Sequence, residues 1–360
     1  MTILIYVIFE IIALFFLKLA QNNRTNGKHT KGKVKKSTIY LIISFCSLAF
    51  LVCFRDVSVG KDTSAYANVY LRIINGNASI EDLQWLGIGY RIICKIVGFF
   101  AGNTYYILNI LVGFVTIYLF YKTIWENSEI PWLSIYILIS TCLYYQTFNQ
   151  ARQMLAIAIT FYALKYIKEN NFKKYLIFIL ISTSIHSSAI VMIPFYLIAN
   201  KKIDRKNTIK YIIIAFILCF GMYYVRKLLL MTTYGQVYFG TQYDLEGKTS
   251  SVLNFVIRIC LLIMCFILGN KDMKEKYRYL YNSAIICTII QLLTISTYTF
   301  GRVTTYFFIS YILLIPNILP KKDKKIYIYF LVIVFALYHF IYYKSTAITM
   351  GVQEYKFFFH

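Results

Sequence analysis

A chain of 360 residues that is 59% hydrophobic, with positive mean hydropathy, is too apolar to be an ordinary soluble domain. Its formal charge of +23 would suit a nucleic-acid partner, but the basic residues sit in short segments between apolar runs, which is a topology signal and argues against nucleic acid. The eight cysteines show neither CxxC pairs nor zinc-like spacing, so they read as small buried hydrophobes and imply no disulfide framework and no metal.

Apolar runs recur at 2–20, 37–54, 104–121, 131–148, 151–167, 209–231, 250–269, 279–298, 303–319 and 326–343. Each is about 17–23 residues, the length a helix needs to cross a hydrocarbon core of roughly 30 Å. The first run lacks a basic leader and a small-residue cleavage site, so it reads as a retained span. The tract NNRTNGKHTKGKVKK (22–36) is a cytoplasmic basic loop, which places the N-terminus outside and sends 37–54 outward. Residues 55–103 then form a large external loop. Runs 104–121 and 131–148 make a hairpin around Lys122, Glu126 and Glu129, and 151–167 returns to the cytoplasm at KYIKENNFKK.

The stretch 175–199 is unusual. Lys173 and Lys174 precede it, while Lys201, Lys202, Arg205 and Lys206 follow. Both flanks ask for the cytoplasm, yet 25 residues are too few for two crossings, and Ser182-Thr183-Ser184, His186-Ser187-Ser188 and Pro194 interrupt the run. The pattern predicts a re-entrant or broken helical hairpin with His186 near its tip, surrounded by protein or a wet cavity. A single kinked span is the alternative, and it would invert every later crossing. With the hairpin, 232–249 is an external loop, KDMKEKYR (271–278) and KKDKK (321–325) are internal, and the C-terminus is external. The expectation is one all-α integral membrane domain over 1–360, with about ten transmembrane helices plus the hairpin. The Ile/Lys/Asn/Tyr bias fits a low-GC bacterium, hence a bacterial plasma membrane.

This topology gathers arginines on the external face and leaves most lysines inside. Arginine offers a planar fork of donors suited to phosphate oxygens, and ionisable groups in a membrane protein are costly to place. Four stretches follow from this. In FRDVSVGKDTSAY (54–66), Arg55, Asp56, Asp62 and Tyr66 lie close together and Gly60 permits a tight turn; an acid there could accept a proton from a sugar hydroxyl or hold a metal, and an Arg-Asp pair merely capping the span is the plainer account. In YYQTFNQARQ (144–153), Gln146, Asn149, Gln150 and Gln153 surround Arg152 at a helix start, where the dipole favours an anion; a polar interfacial cap is the alternative. SIHSSA (184–189) contains His186, a group able to exchange a proton near neutral pH or simply to bond a neighbouring helix. TYTFGRVTTYFF (297–308) places Arg302 at the mouth of a helix, where snorkelling would also explain it.

At these positions the chain resembles the EpsG-type family, Wzy-like polymerases of bacterial exopolysaccharides and capsules. The matching stretches are FRDVSVGKDTSAY, NQARQMLAIAI, Phe172 through SIHSSAIVMIPF, and GRVTTYFF. The tail QEYKFFFH fits the family's short aromatic-basic end, but Gln353-Glu354 stand where a proline would be expected, so the tail receives no role. The resemblance implies a glycosyltransferase-type polymerase on the outer leaflet. It would move a growing glycan from undecaprenyl pyrophosphate to the next lipid-linked repeat unit. The leaving group is already activated, so no cofactor is implied. Arg152 and Arg302 would hold pyrophosphate, His186 or Asp62 would act as base, and Arg55 would orient Asp56 or Asp62, with Asn149, Gln150, Gln153 and Tyr66 contacting substrate. The partners implied are the undecaprenyl-pyrophosphate-linked oligosaccharide, the bilayer and other polysaccharide export or assembly proteins. A flippase for lipid-linked oligosaccharide and a membrane acyltransferase are the alternatives. The first would want internal symmetry between halves, and no clear repeat is present.

Overall fold

The computed structural model describes residues 2–24, 31–204, 248–295, 300–319 and 324–359, with scattered positions between 206 and 231. The expected external loop at 232–249 lies almost wholly outside the described residues, as do Arg205 and Arg226. Among the described residues the chain is helical, and the sole extended feature is one antiparallel bridge between Arg55 and Phe357.

The helices are α1 (Thr2–Asn22), α2 (Lys31–Cys53), α3 (Thr63–Ile74), α4 (Ile80–Trp85), α5 (Ile88–Ala101), α6 (Tyr105–Asn127), α7 (Pro131–Ser140), α8 (Leu143–Asn149), α9 (Ala151–Lys168), α10 (Phe172–Ile185), α11 (Met192–Ala199), α12 (Lys248–Leu268), α13 (Lys271–Lys276), α14 (Arg278–Leu293), α15 (Gly301–Phe308), α16 (Tyr311–Asn317) and α17 (Lys324–Met350). Five of them contain stretches long and apolar enough to cross a membrane: Ile3–Asn22, Lys35–Cys53, Tyr105–Asn127, Ser251–Leu268 and Lys324–Met350. The expected count of about ten is not confirmed, and the reason is visible in the backbone. The run 131–148 is split by Cys142 in the left-handed region (φ 60), and 303–319 is split between α15 and α16. About half of 209–231 falls outside the described residues.

Two expected loops are largely helical. Residues 31–36 of the basic tract already belong to α2, and the stretch 55–103 is built of α3, α4 and α5. Short-range chemistry accounts for α4. Ser79 accepts a bond from the Asp82 N–H at 3.1 Å while the Asp82 carboxylate accepts from the Ser79 N–H at 3.0 Å, a reciprocal capping box.

The chain divides into two compact units. The first comprises residues 1–163, 177–190 and 321–360. Here α1 and α2 run antiparallel, pinned by Ser44 Oγ donating to the Ala13 carbonyl at 2.7 Å and Ser37 Oγ to that of Ala20 at 2.9 Å. Such side-chain-to-backbone bonds join helices where lipid offers no hydrophobic drive between them. Helix α6 lies close to α2, with Gly113 facing Val52 and Cys53. Tyr144 Oη donates to the Leu48 carbonyl at 2.9 Å, tying α8 to α2 as well.

The second unit comprises 164–176 and 191–320. Asn282 on α14 organises it, donating to the Ala199 carbonyl at 2.8 Å and the Lys201 carbonyl at 2.9 Å. Tyr281 Oη donates to the Cys265 carbonyl at 2.9 Å. Within this unit the start of α10 touches α11: Tyr175 Oη donates to the Met192 carbonyl at 2.6 Å, and the Tyr175 and Tyr196 rings are 5.2 Å apart. The chain therefore doubles back between them. The break comes at His186, after which a single 3-10 turn (Ser187–Val191) leads into α11.

Candidate functional site

The ends of several helices in the first unit meet in one place: the C-termini of α2 and α17, the N-termini of α3, α6 and α9, and the α10 break. What brings them together is the turn at 56–62. Gly60 has φ +94, and a Cβ there would lie 2.2 Å from the Phe148 carbonyl oxygen, so only glycine permits the approach. Because the turn presses on the end of α8, the Asp62 N–H donates to Asn149 Oδ1 at 2.7 Å, and Thr63 Oγ1 reaches the Phe148 carbonyl at 3.2 Å. Asp62 is the N-cap of α3, though its side chain makes no capping bond there.

Arg152 stands in the first turn of α9 and is only 6% exposed. Its guanidinium lies 4.5 Å from the Trp85 ring, 5.4 Å from Tyr66 and 5.8 Å from Tyr90, and Nη1 donates to the Trp85 carbonyl at 2.7 Å. The Tyr66 and Trp85 rings themselves stack at 5.2 Å. Nε of Arg152 has no hydrogen-bond partner, and no carboxylate among the described residues pairs with the group. A cation in the first turn sits on the unfavourable side of the helix dipole, which does not stabilise it. Aromatic faces stabilise such a cation without neutralising it.

Arg55 is more deeply enclosed, at 1% exposure. Nη1 donates to the Val52 carbonyl, the guanidinium lies 5.8 Å from the Phe148 ring, and Nε and Nη2 lack partners. Burial lowers its pKa, and the surrounding Tyr105, Tyr355 and Tyr90 phenols partly oppose that shift. The expected pairing of Arg55 with Asp56 is not seen. Asp56 Oδ1 accepts the Ser58 N–H at 3.0 Å and Oδ2 accepts from Tyr106 Oη at 3.1 Å. Burial raises the Asp56 pKa, but these bonds outweigh it and hold the carboxyl below its ordinary range. The backbone explains the separation: the antiparallel bridge at Arg55 turns successive side chains to opposite sides.

His186 is half-buried at the α10 break, its Nδ1 2.7 Å from Ser188 Oγ. The backbone of this turn rests against the start of α5, where Gly87 and Gly89 face Ser184 so closely that a Cβ would lie 2.3 and 2.2 Å from its atoms. Ser182 Oγ donates to the Ala156 carbonyl at 2.8 Å, which fastens α10 to α9. Asn149 and Gln153 are buried beside Arg152 in the chain, and Gln150 is half-buried at the junction of α8 and α9. Arg302 belongs to the second unit, exposed in the first turn of α15.

Three features escaped sequence reasoning. The C-terminal tail laces the turn: the Asp56 N–H donates to the Lys356 carbonyl at 2.9 Å, Phe358 N–H to that of Phe54 at 3.2 Å, and Gly60 N–H to that of Gly351 at 2.9 Å. Trp85 and Tyr90 complete the Arg152 cage, and nothing in their local sequence marks them. Inside the apolar runs, Glu10 accepts a bond from Tyr145 Oη, and His339 Nδ1 lies 4.0 Å from Cys142 Sγ. A lone acid in a spanning run was the available signal there.

Helices of spanning length, with arginines enclosed at one end of a helical unit, define a polytopic membrane protein. The EpsG family model matches residues 38–357, so the chain belongs to the EpsG family. Membership points, in general terms, to a Wzy-like polysaccharide polymerase of the membrane. Neither the curated proteins nor the solved structures contain a match to the chain.

Proposed function

We propose that the protein polymerises a lipid-linked polysaccharide, transferring a growing glycan from undecaprenyl pyrophosphate to the next lipid-linked repeat unit on the outer face of a bacterial plasma membrane. The observation that carries this is Arg152: a buried guanidinium with an unpartnered Nε, no carboxylate partner among the described residues, and a helix N-terminus beneath it. That arrangement leaves net positive potential where a pyrophosphate would depart. Arg152 stabilises the leaving group, and Arg55 adds positive charge from beneath the turn. The acceptor hydroxyl loses its proton to Asp62 or His186 as its oxygen bonds the anomeric carbon and the glycosyl–pyrophosphate bond breaks. The site end of the first unit faces outward, as do both termini.

Deletion of the gene followed by gel analysis of surface polysaccharide tests the reading. Polymer is expected to vanish while single repeat units accumulate on lipid at the outer face. Repeat units stranded inside would indicate a flippase instead, and full-length polymer lacking a decoration would indicate an acyltransferase.

A further inference from the structure

Trp85 also lines a groove of about 360 Å³ beside α3 and α4, together with Ala65, Asn68, Val69, Arg72, Glu81 and Asp82. Trp85 is 38% exposed there although its stacking partner Tyr66 is 6% exposed. Asp82 is fixed in place, accepting from Arg72 Nε at 2.7 Å and Nη2 at 2.5 Å. Those bonds, chiefly, hold its carboxyl at a pKa of about 2. Asn68 and Glu81 are exposed on either side.

The chemistry of this lining is selective. Arg72 is neutralised by Asp82, so Glu81 leaves the groove net negative, and a phosphate or acidic sugar is disfavoured. The three charged side chains among its lining, Arg72, Glu81 and Asp82, do not suit an acyl or prenyl chain. A partly exposed indole beside an amide, a carboxylate and an anchored ion pair provides an apolar platform and directed partners for vicinal hydroxyls. The groove is open to its surroundings, which suits a chain that must lengthen beyond the site.

We infer that this groove binds the neutral or amino-sugar portion of a glycan, positioning it next to Arg152 through Trp85, whose ring and carbonyl both contact that arginine. The assignment rests on the polymerase reading for its physiological ligand and on the groove alone for its chemistry.

The test uses the full chain in phospholipid vesicles with Trp125→Phe and Trp132→Phe, so that Trp85 is the remaining tryptophan. The probe is an oligosaccharide released from the strain's own surface polysaccharide by partial acid hydrolysis. A saturable change in Trp85 fluorescence is expected. Asn68→Ala, which loses a hydrogen bond, and Glu81→Gln, which turns a charge-assisted bond into a weaker neutral one, should each weaken it about three- to tenfold, and inorganic pyrophosphate should not compete. In cells the same two variants should shorten the polymer. No saturable change, unaltered affinity in both variants, or displacement by pyrophosphate would overturn the assignment. Failure of the polymerase reading is seen separately, as normal polymer in the deletion strain, and leaves the vesicle measurement decisive for the groove.

Discussion

The two ends of the first unit both carry cations, yet they treat them oppositely. At one end Arg55 and Arg152 are buried, their guanidiniums lie against aromatic rings, and no carboxylate pairs with them among the described residues. At the other, Lys18 and Arg24 are exposed and rest over Trp132 at 5.5 Å and Trp125 at 4.8 Å. Tyr6, which meets Tyr355 near the buried arginines, and Lys18 lie on the same helix, roughly 18 Å apart along its axis. An exposed cation at a membrane edge is comfortable and says mainly which way the helix points. A buried, unneutralised one costs folding energy, and the proposed function assigns it an anionic ligand that would offset that cost. The contrast separates topology from chemistry within one bundle.

Removing the base should break the site end most severely. Asp62→Asn and His186→Ala are each expected to lower polymerisation greatly, since a positioned base contributes about 10²–10⁴-fold, with at least one variant still binding the lipid-linked substrate. Normal polymer from both would leave catalysis to the arginines and let the proton go to water.

Next in size is Arg152→Lys, with an expected loss of about 10²–10³-fold in polymer synthesis while the protein still accumulates in the membrane. A point charge cannot reproduce both the Trp85 carbonyl bond and a free Nε. Arg302→Lys should also lose most polymerisation, measured in its own right on the same gels. Near-wild-type polymer from the two lysine variants would remove arginine from the chemistry.

Gly60→Ala tests the turn rather than the reacting groups. Strain at φ +94, together with the Phe148 carbonyl in the way, should destabilise the fold by about 1–3 kcal/mol and lower activity without abolishing membrane insertion. Thermal unfolding in detergent would show it, and an unchanged midpoint would mean that the turn relaxes freely.

At the opposite end, Lys18→Ala and Arg24→Ala should stay within about 0.5 kcal/mol of the parent and leave polymer length unaltered. A cysteine placed at Glu81 should react with an impermeant thiol reagent from outside, and one at Glu126 should not, in a background whose native cysteines are silent. The reverse pattern would invert the whole bundle.

The smallest effect concerns pH. The Asp82 carboxyl is lowered to about 2 by the Arg72 bonds, so its contribution to stability is present above the ordinary carboxylate pKa and is lost only as pH falls toward 2. Acidification from pH 7 to pH 5 should leave oligosaccharide binding in the groove unchanged so far as this pair is concerned. A fall in affinity over that interval would point to another titrating group.

Much of this protein was written in local composition. Length and hydropathy alone marked α1, α2, α6, α12 and α17 as spans, because crossing a bilayer is a demand on consecutive residues. The clustering of arginine, aspartate and amide residues in 54–66 and 144–153 marked two stretches that pack against each other, and Gly60 announced the turn between them. Tertiary structure decided what local patterns cannot express. The run 131–148 reads as one span, but the left-handed Cys142 breaks it, since hydropathy does not report backbone direction. Segment 55–103 reads as an external loop, yet it folds into helices against the bundle. The Arg152 cage joins positions 66, 85 and 90 to 152, and Tyr355 Oη reaches the Leu51 carbonyl at 2.9 Å across 304 positions. Sequence states which side chains can bear charge, stack or turn; only the packing of distant segments decides which arginine is left buried and unpaired.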